Sequence, residues 1–416
     1  MLPNILKGLG VLGIGVSLWG CEMGYLLSQG YQQARLLAHK RPVKEVLEDQ
    51  KVDPGIKDRI RLIQAVCRFG EEELGLTRGT SYSSFVQIPG DAVVYVVSAC
   101  PKDSLVPHTW WFPILGEFPY KGFFHLERAR KEKRALREKG YDVHLGRASA
   151  FSALGWFSDP IYSSMLRMEE TDLVYTVFHE MVHRTVFFKN QVDFNEQLAT
   201  LVGWQATYRF MELTYGKGSS QTRKVLEAIE TERAVASVLQ ELRAQLLALY
   251  CRDIPMEEKL SKRQEIFREA KGRIAILGKE NPGARLDSIC SMEWNNASFL
   301  ALWRYRYDVG RLEGLLSRLG EDLGKLIQRV RSWKDQGVEP ERALEEELGG
   351  QGPISFLRSP QAPSIVCLSL AANQPSGFWK YSRVSLRETK WSCSMEASRA
   401  KNSFSRGSST LAARSL

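Results

Sequence analysis

The chain has 416 residues, 44% of them hydrophobic and 25% charged. These ordinary globular proportions exclude a wholly disordered chain, a collagen and a polytopic membrane protein. Lysine and arginine number 57 against 48 acids, a net charge of +9, which would invite a nucleic-acid or anionic-membrane partner if it were spread over the fold. It is not: from Pro353 to Leu416 nine basic residues stand against two acids, +7, leaving +2 for residues 1 to 352. No nucleic-acid partner is expected.

At the N-terminus, Lys7 precedes an apolar, glycine-rich run from Gly8 to Gly20 that is too short to span a bilayer stably. It ends in Leu18-Trp19-Gly20-Cys21, the build of a bacterial lipobox, with the tryptophan an unusual filler. Residues 1–20 are read as a lipoprotein signal peptide and Cys21 as the lipidated residue, against a plain anchor or a signal cleaved elsewhere. Acyl chains on Cys21 would hold a soluble domain on a membrane surface.

Residues 25 to 76 follow a helical pattern, with Ile56, Ile60, Ile63 and Cys67 on one face. The period then changes, and Ser84–Ile88 and Ala92–Ser98, on either side of the Pro89-Gly90-Asp91 turn, are expected to form a β-hairpin. An aromatic loop from Trp110 to Phe124, a charged helix from Leu126 to Lys139 and a short strand at Tyr141–Leu145 follow. The small-residue run from Gly146 to Gly155 can serve as an edge that holds an extended substrate. Residues 220–280 read as a long helical hairpin broken around Asp253-Ile254-Pro255, and 295–336 as a helical pair separated at Gly320. The last segment, 353–416, is basic, serine-rich and aperiodic, a composition that reads as disordered. A frame change near the natural stop codon would produce it. The cysteines show no C-x-x-C spacing; an exported protein could pair some of them, but the spacing gives no connectivity.

The chemistry-bearing motif is His179-Glu180-Met181-Val182-His183, preceded by a largely apolar run with Thr171 as the expected helix cap. Residues i and i+4 share a helix face, so both imidazoles can meet one metal ion. Glu180, one position on, can take a proton from the attacking water and pass it to the leaving amine. A catalytic site needs a third ligand. Glu196 lies 13 residues beyond His183 at the start of another apolar helix. A glutamate on a helix just downstream is how gluzincins supply that ligand; a capping or salt-bridging carboxylate is the competing reading. Arg184 departs from the uncharged residue usual after the second histidine. A purely structural histidine pair is the alternative for the motif as a whole.

The chain resembles the family of predicted bacterial zinc aminopeptidases that are lipoprotein-anchored. The likeness is carried by Leu18–Cys21, Tyr95-Val96-Val97 with Pro101–Leu105, Trp110–Phe112 with Pro119–Phe124, and Ser152–Pro160. The metal motif, Phe194-Asn195-Glu196 and Asn295-Asn296-Ala297 complete it. It spans residues 18 to about 335 and leaves out the tail. The resemblance implies Zn2+, hydrolysis of peptide bonds near an N-terminus and a zincin-type catalytic domain.

The expected fold is therefore α+β and mostly helical: a zincin-like domain over 21–352 with the 220–280 hairpin inserted. The expected activity is that of a zinc metallopeptidase on the periplasmic side of the cell envelope, acting on peptides or proteins. By its position after Asn295-Asn296-Ala297, Tyr305 is the candidate oxyanion donor, with Tyr307 behind it; a packed helix tyrosine is the rival reading. Glu169 and Glu170 are, among other acids that the sequence does not distinguish, candidates to anchor a substrate α-amine. An endopeptidase, an inactive zincin-fold scaffold that binds a partner through the hairpin, and a binder of anionic polymers are the alternatives. The sequence carries no signal for an oligomeric state.

Overall fold

The computed structural model describes residues 24–349 apart from 26–27, 91, 113–115, 149–158, 190, 285, 305 and 307–308. Residues 1–20, Cys21, most of the 146–155 run, Tyr305, Tyr307 and the 353–416 segment lie outside the described residues. The fold is α+β and mostly helical, as expected. No helix among the described residues is long and apolar enough to cross a membrane.

After a helical stretch at 28–38, strand β1 (Arg41–Pro42) and helix α1 (Val43–Glu48) lead into α2 (Pro54–Leu74). Asp53 caps α2 by accepting from the amides of Gly55 and Ile56, and Pro54 takes the first turn, where no amide hydrogen is needed. Gly75, at φ 65°, ends it in the left-handed conformation that glycine adopts without a Cβ penalty. The predicted face of α2 is the buried one: Ile60, Ile63, Val66 and Cys67 are fully enclosed. A Cβ on Gly70 would stand 2.8 Å from Met181 Cε. Its absence lets α2 close onto the helix that carries the histidine motif.

The expected hairpin of Ser84–Ile88 with Ala92–Ser98 does not form. Strand β2 (Ser84–Val86) pairs antiparallel with β1 and parallel with β8 (Ile161–Tyr162). Strand β3 (Val94–Cys100) instead sits between β6 (Lys121–Phe123) and β7 (Asp142–Ala148), antiparallel to both. The amides nearest the turn are spent elsewhere: that of Ile88 donates to Ser163 Oγ at 3.0 Å and that of Val93 to Ala148 O at 2.9 Å. The sequence pattern reported two strands correctly and their partners wrongly.

The aromatic segment expected as a loop builds strands too. β4 (Trp110–Phe112) and β5 (Gly116–Phe118) form a two-stranded ribbon and β6 joins β3. Helix α3 (Leu126–Glu138) packs on the β6-β3-β7 sheet, and Trp110, Phe112, Phe118 and Phe123 share one core with Ala129, Leu136, Val97 and Val143. Among the described residues β7 is the outer strand of its sheet, and Gly146–Ala148, the described part of the small-residue run, belong to it.

Two helices hold the histidine motif and its downstream glutamate: α4 (Glu170–Thr185) and α5 (Val192–Tyr215). The hairpin follows as α6 (Ser220–Tyr250) and α7 (Met256–Glu280), broken where Asp253-Ile254-Pro255 predicts. It packs within the chain: Val235, Leu239, Leu242 and Leu246 meet Phe267, Ile274, Trp294 and Phe299. Short α8 (Asp287–Ser291) precedes α9 (Asn296–Trp303), α10 (Gly310–Arg318), α11 (Leu323–Asp335) and α12 (Pro340–Glu347). The expected pair over 295–336 is thus three helices, although the break at Gly320 stands, at φ 73°.

A buried polar junction ties the hairpin to the sheet. Arg263 Nη1 donates to Asp142 Oδ2 at 2.6 Å and to Lys102 O at 2.8 Å. Asp142 Oδ2 also accepts the Asn296 amide at 3.0 Å. Asn296 Nδ2 donates to Pro101 O and Ser104 O, both at 2.9 Å, and its Oδ1 accepts from Tyr250 Oη at 2.6 Å. Two segments that carry the family likeness, Pro101–Leu105 and Asn295-Asn296-Ala297, therefore meet in a structural joint.

Candidate metal centre

Helix α4 begins one residue before the predicted cap. Glu169 is its extended N-cap, its side chain making no cap hydrogen bond, and Thr171 falls inside the first turn. Its apolar face, Leu173, Val174, Val177, Phe178, Met181 and Val182, is buried against α2 and α5. That fixes the roll of the helix and turns His179 and His183 toward α5. Their ring centroids are 4.7 Å apart at 84°.

Glu196 lies on the second turn of α5 and reaches between them. His179 Nε2 is 3.3 Å from Glu196 Oε2, His183 Nε2 is 3.5 Å from Glu196 Oε1, and the two Nε2 atoms are 3.1 Å apart. The Glu196 side chain is only 5% exposed. Burying an isolated carboxylate is very costly, so it demands a positive partner. Burial raises its pKa, but the hydrogen bonds and charge of the two imidazoles outweigh this and hold it well below the usual carboxylate range. On His183, burial works against the charge while Glu196 favours it, and the net effect is upward.

The donor set fits a zinc ion. Ligands at about 2.0–2.1 Å in tetrahedral array lie roughly 3.3–3.4 Å from one another. The three separations of 3.1, 3.3 and 3.5 Å bracket that edge. Two imidazole nitrogens and one carboxylate oxygen are the ligands of a catalytic zinc site that keeps a fourth position open. Among the described residues, these three form the one group of histidine, cysteine and acid side chains gathered closely enough to hold a metal ion.

Neighbouring groups orient these side chains. Tyr175, one turn before His179, places its hydroxyl 3.3 Å from His179 Nδ1. Its ring stacks on Trp204 with centroids 4.2 Å apart. A Cβ on Gly203 would stand 3.0 Å from that ring, so the glycine makes room for it. Asn195 clamps the α4–α5 connection: its Oδ1 accepts the Phe188 amide at 2.9 Å and its Nδ2 donates to Phe188 O at 2.8 Å. His183 Nδ1 is buried without a hydrogen-bond partner among the described residues.

Glu180 is half-buried and makes no hydrogen bond or ion pair among the described residues, which leaves its carboxylate available to a proton. Close to it in electrostatic terms is Tyr82, whose ionisation is suppressed first by burial and then by Glu180. Tyr82 is 3% exposed and holds φ at 59°, a strained value for a bulky residue. Both its backbone groups are secured: the amide donates to Asp159 O at 2.8 Å and the carbonyl accepts from Gln64 Nε2 at 2.7 Å. The departure at Arg184 has a structural reason. Its Nη2 lies 2.6 Å from Asp159 Oδ2, tying the residue after His183 to this same Tyr82 support.

Among the sequence-predicted site residues, the structure brings together His179, His183 and Glu196, with Glu180 adjacent. It separates Glu169 and Glu170 from them. These stand at the start of α4, ten and nine residues before His179, roughly 14–15 Å along the axis, and Glu170 Oε1 accepts from Tyr215 Oη at 2.5 Å. Tyr175, Asn195 and Tyr82 were not assigned roles from sequence. Tyr175 was accessible there, because it lies at i−4 from His179 on the same face.

The fold thus gathers two histidines of one helix and a carboxylate of the following helix into a cluster that could hold a metal ion. The chain belongs to the family described as "Putative aminopeptidase", whose model matches residues 24–344. Membership supports a peptidase activity on peptide or protein substrates. The chain matches no curated protein and no solved structure.

Proposed function

We propose that the protein is a zinc-dependent metallopeptidase of zincin type that acts as an aminopeptidase, anchored by lipid at Cys21 and facing the periplasm. The observation that carries the zinc reading is the convergence of His179, His183 and Glu196 at tetrahedral-edge distances in a buried site. When bound there, Zn2+ supplies Lewis-acid polarisation of the scissile carbonyl and acidifies water. Glu180 acts as general base toward the attacking water and returns the proton to the leaving amine. Tyr175 holds the His179 ring in place, and Asn195 keeps Glu196 in register with α4. Family membership supports the aminopeptidase assignment, and the sequence candidate for the oxyanion donor is Tyr305.

The test pairs zinc quantification with cleavage of free and N-acetylated peptides. The wild type is expected to carry one zinc per chain and to cleave only peptides with a free amine. Glu180→Gln is expected to keep its zinc and lose activity by about 10²–10⁴-fold. A wild type without zinc, or Glu180→Gln at full activity, refutes the mechanism. Cleavage of acetylated peptides makes it an endopeptidase; zinc with no cleavage of a broad peptide panel makes it a scaffold.

A further inference from the structure

The layer built on the β6-β3-β7 sheet has a chemically distinct outer face. Helix α3 packs on the sheet, and its inner residues share one core with those of the β4–β5 ribbon, whose Trp110 Nε1 donates to Glu132 Oε1 of α3 at 3.0 Å. The outer residues of both therefore point away from that core. On the ribbon, Trp110 and Phe112 are buried while Trp111, between them, is 51% exposed.

On the helix the outer face is cationic. Arg128, Arg130, Lys131, Arg134, Arg137 and the C-cap Lys139 are exposed, with Glu127 and Glu138 the exposed acids among them. Residues 126–139 hold seven basic side chains against three acidic ones, +4, so the rest of residues 1–352 nets 2 − 4 = −2. Arg130 pairs with Glu127 and Arg137 with Glu293, whereas Lys131, Arg134 and Lys139 have no ion-pair partner among the described residues. The positive field reaches nearby groups. Lys133 is made less basic by burial and then by Arg137; His108, held down first by burial, is held down further by Lys139.

The N-terminal end of the described chain is fastened to this same layer. Tyr25 stacks on Phe112 at 5.4 Å, meets Phe123 edge-on at 5.8 Å and donates from its hydroxyl to Gly122 O at 2.5 Å. Arg128 Nη1 donates to Ser28 Oγ at 2.8 Å. Cys21 precedes Tyr25 by four residues, no more than about 14 Å of chain.

We propose that the outer face of α3, with Trp111 beside it, is a docking surface for an anionic lipid bilayer. This rests on the anchored reading to the extent that acyl chains on Cys21 would enter the membrane next to that face. Charge complementarity selects the occupant: cations near an anionic leaflet attract it over a Debye length, and a tryptophan settles at headgroup depth. One lipid chain gives weak, reversible binding, and a polybasic patch is the kind of second signal that makes it stable. Docking by this face would fix the orientation of the catalytic layer above the membrane, which a four-residue tether alone would leave free.

The test is hydrogen–deuterium exchange of the full chain on vesicles of phosphatidylcholine alone and of phosphatidylcholine with 30% phosphatidylglycerol. Peptides covering 108–112 and 126–139 are expected to exchange about tenfold more slowly on the anionic vesicles, with peptides of α4 unchanged. The exposed substitutions Lys131→Gln, Arg134→Gln and Lys139→Gln together are expected to abolish that difference. In co-sedimentation of protein without acyl chains they should weaken binding by about 100-fold, at roughly tenfold or less per charge. Equal exchange on the two vesicles, or protection that survives the triple substitution, overturns the proposal. The mass of the N-terminal peptide reports acylation separately: a missing lipid with retained anionic protection removes the anchor and supports the docking face.

Discussion

Tyr175→Phe tests whether the centre is organised as the geometry implies. The substitution removes one oxygen and leaves the ring that stacks on Trp204. When His179 Nε2 ligates a metal, Nδ1 carries the hydrogen, and its acceptor is the Tyr175 hydroxyl at 3.3 Å. The His179 side chain is only 12% exposed, so water replaces that acceptor poorly. An unmet buried donor costs about 1–3 kcal/mol, and a contact at the long end of the hydrogen-bond range belongs low in that interval. About 1.5 kcal/mol corresponds to a zinc Kd roughly tenfold weaker. Chelator competition with a zinc indicator measures it, and the melting temperature in excess chelator controls for damage to the fold. Gly203→Ala approaches the same contact from the other side, since the new Cβ would press on the Tyr175 ring at 3.0 Å; it should weaken zinc in the same direction. A Tyr175→Phe protein whose zinc Kd stays within twofold of wild type would show that the hydroxyl does not orient His179.

Other consequences follow from named contacts. Asn195→Ala deletes both hydrogen bonds to Phe188; a loss of about 2–4 kcal/mol is expected in urea denaturation, along with weaker zinc binding. Arg263→Met leaves Asp142 charged and 7% exposed at the hairpin joint. Denaturant titration should show a loss of about 3–5 kcal/mol, partly restored by adding Asp142→Leu. His144 on β7 has its pKa pushed down to about 4, first by burial and then by Lys133 and Arg304, with Glu293 opposing. The unfolded chain takes up the proton near 6.5 while the folded one resists until about 4, so stability present above pH 6.5 is lost as pH falls toward 4. The full loss is about 3 kcal/mol. His144→Gln should flatten that slope, and an unchanged difference in stability between pH 7 and 4.5 would contradict it.

How much was legible in the sequence depended on whether a feature was local. Ile60, Ile63 and Cys67 marked the buried face of α2 because helix periodicity is a property of neighbours. The break at Asp253-Ile254-Pro255 was legible for the same reason. The pairing of β2 and β3 was not: Phe85 finds Ile161 and Tyr95 finds Arg147, partners set by sheet assembly far along the chain. The aromatic segment from Trp110 misled because dense aromatics and prolines look alike in a loop and in a short ribbon. At the site, His179, Glu180 and His183 sit within one helical turn and could be read directly. Glu196 is separated from them by a connection whose path the sequence does not state, so a capping carboxylate remained a fair rival. In the structure it is 5% exposed and lies beside both imidazoles.

That contrast shows where the precision of the centre comes from. The pentapeptide brings two imidazoles to one helix face, which any helix with this spacing would do. Alignment with the Glu196 carboxylate within a few tenths of an ångström needs constraints between elements. Four of these lie next to the motif. Gly70 seats α2 against Met181, Tyr175 braces His179 from the turn below, Arg184 ties the following residue to Asp159, and Asn195 locks the connection one residue before Glu196. Arg184, charged where zincins usually carry an uncharged residue, is thus one of the four ties. Its charge is matched by Asp159, whose backbone carbonyl holds Tyr82 in its left-handed conformation. A neutral residue at 184 would release that chain of contacts at the end nearest His183, so the departure from pattern and the strained tyrosine are two ends of the same arrangement.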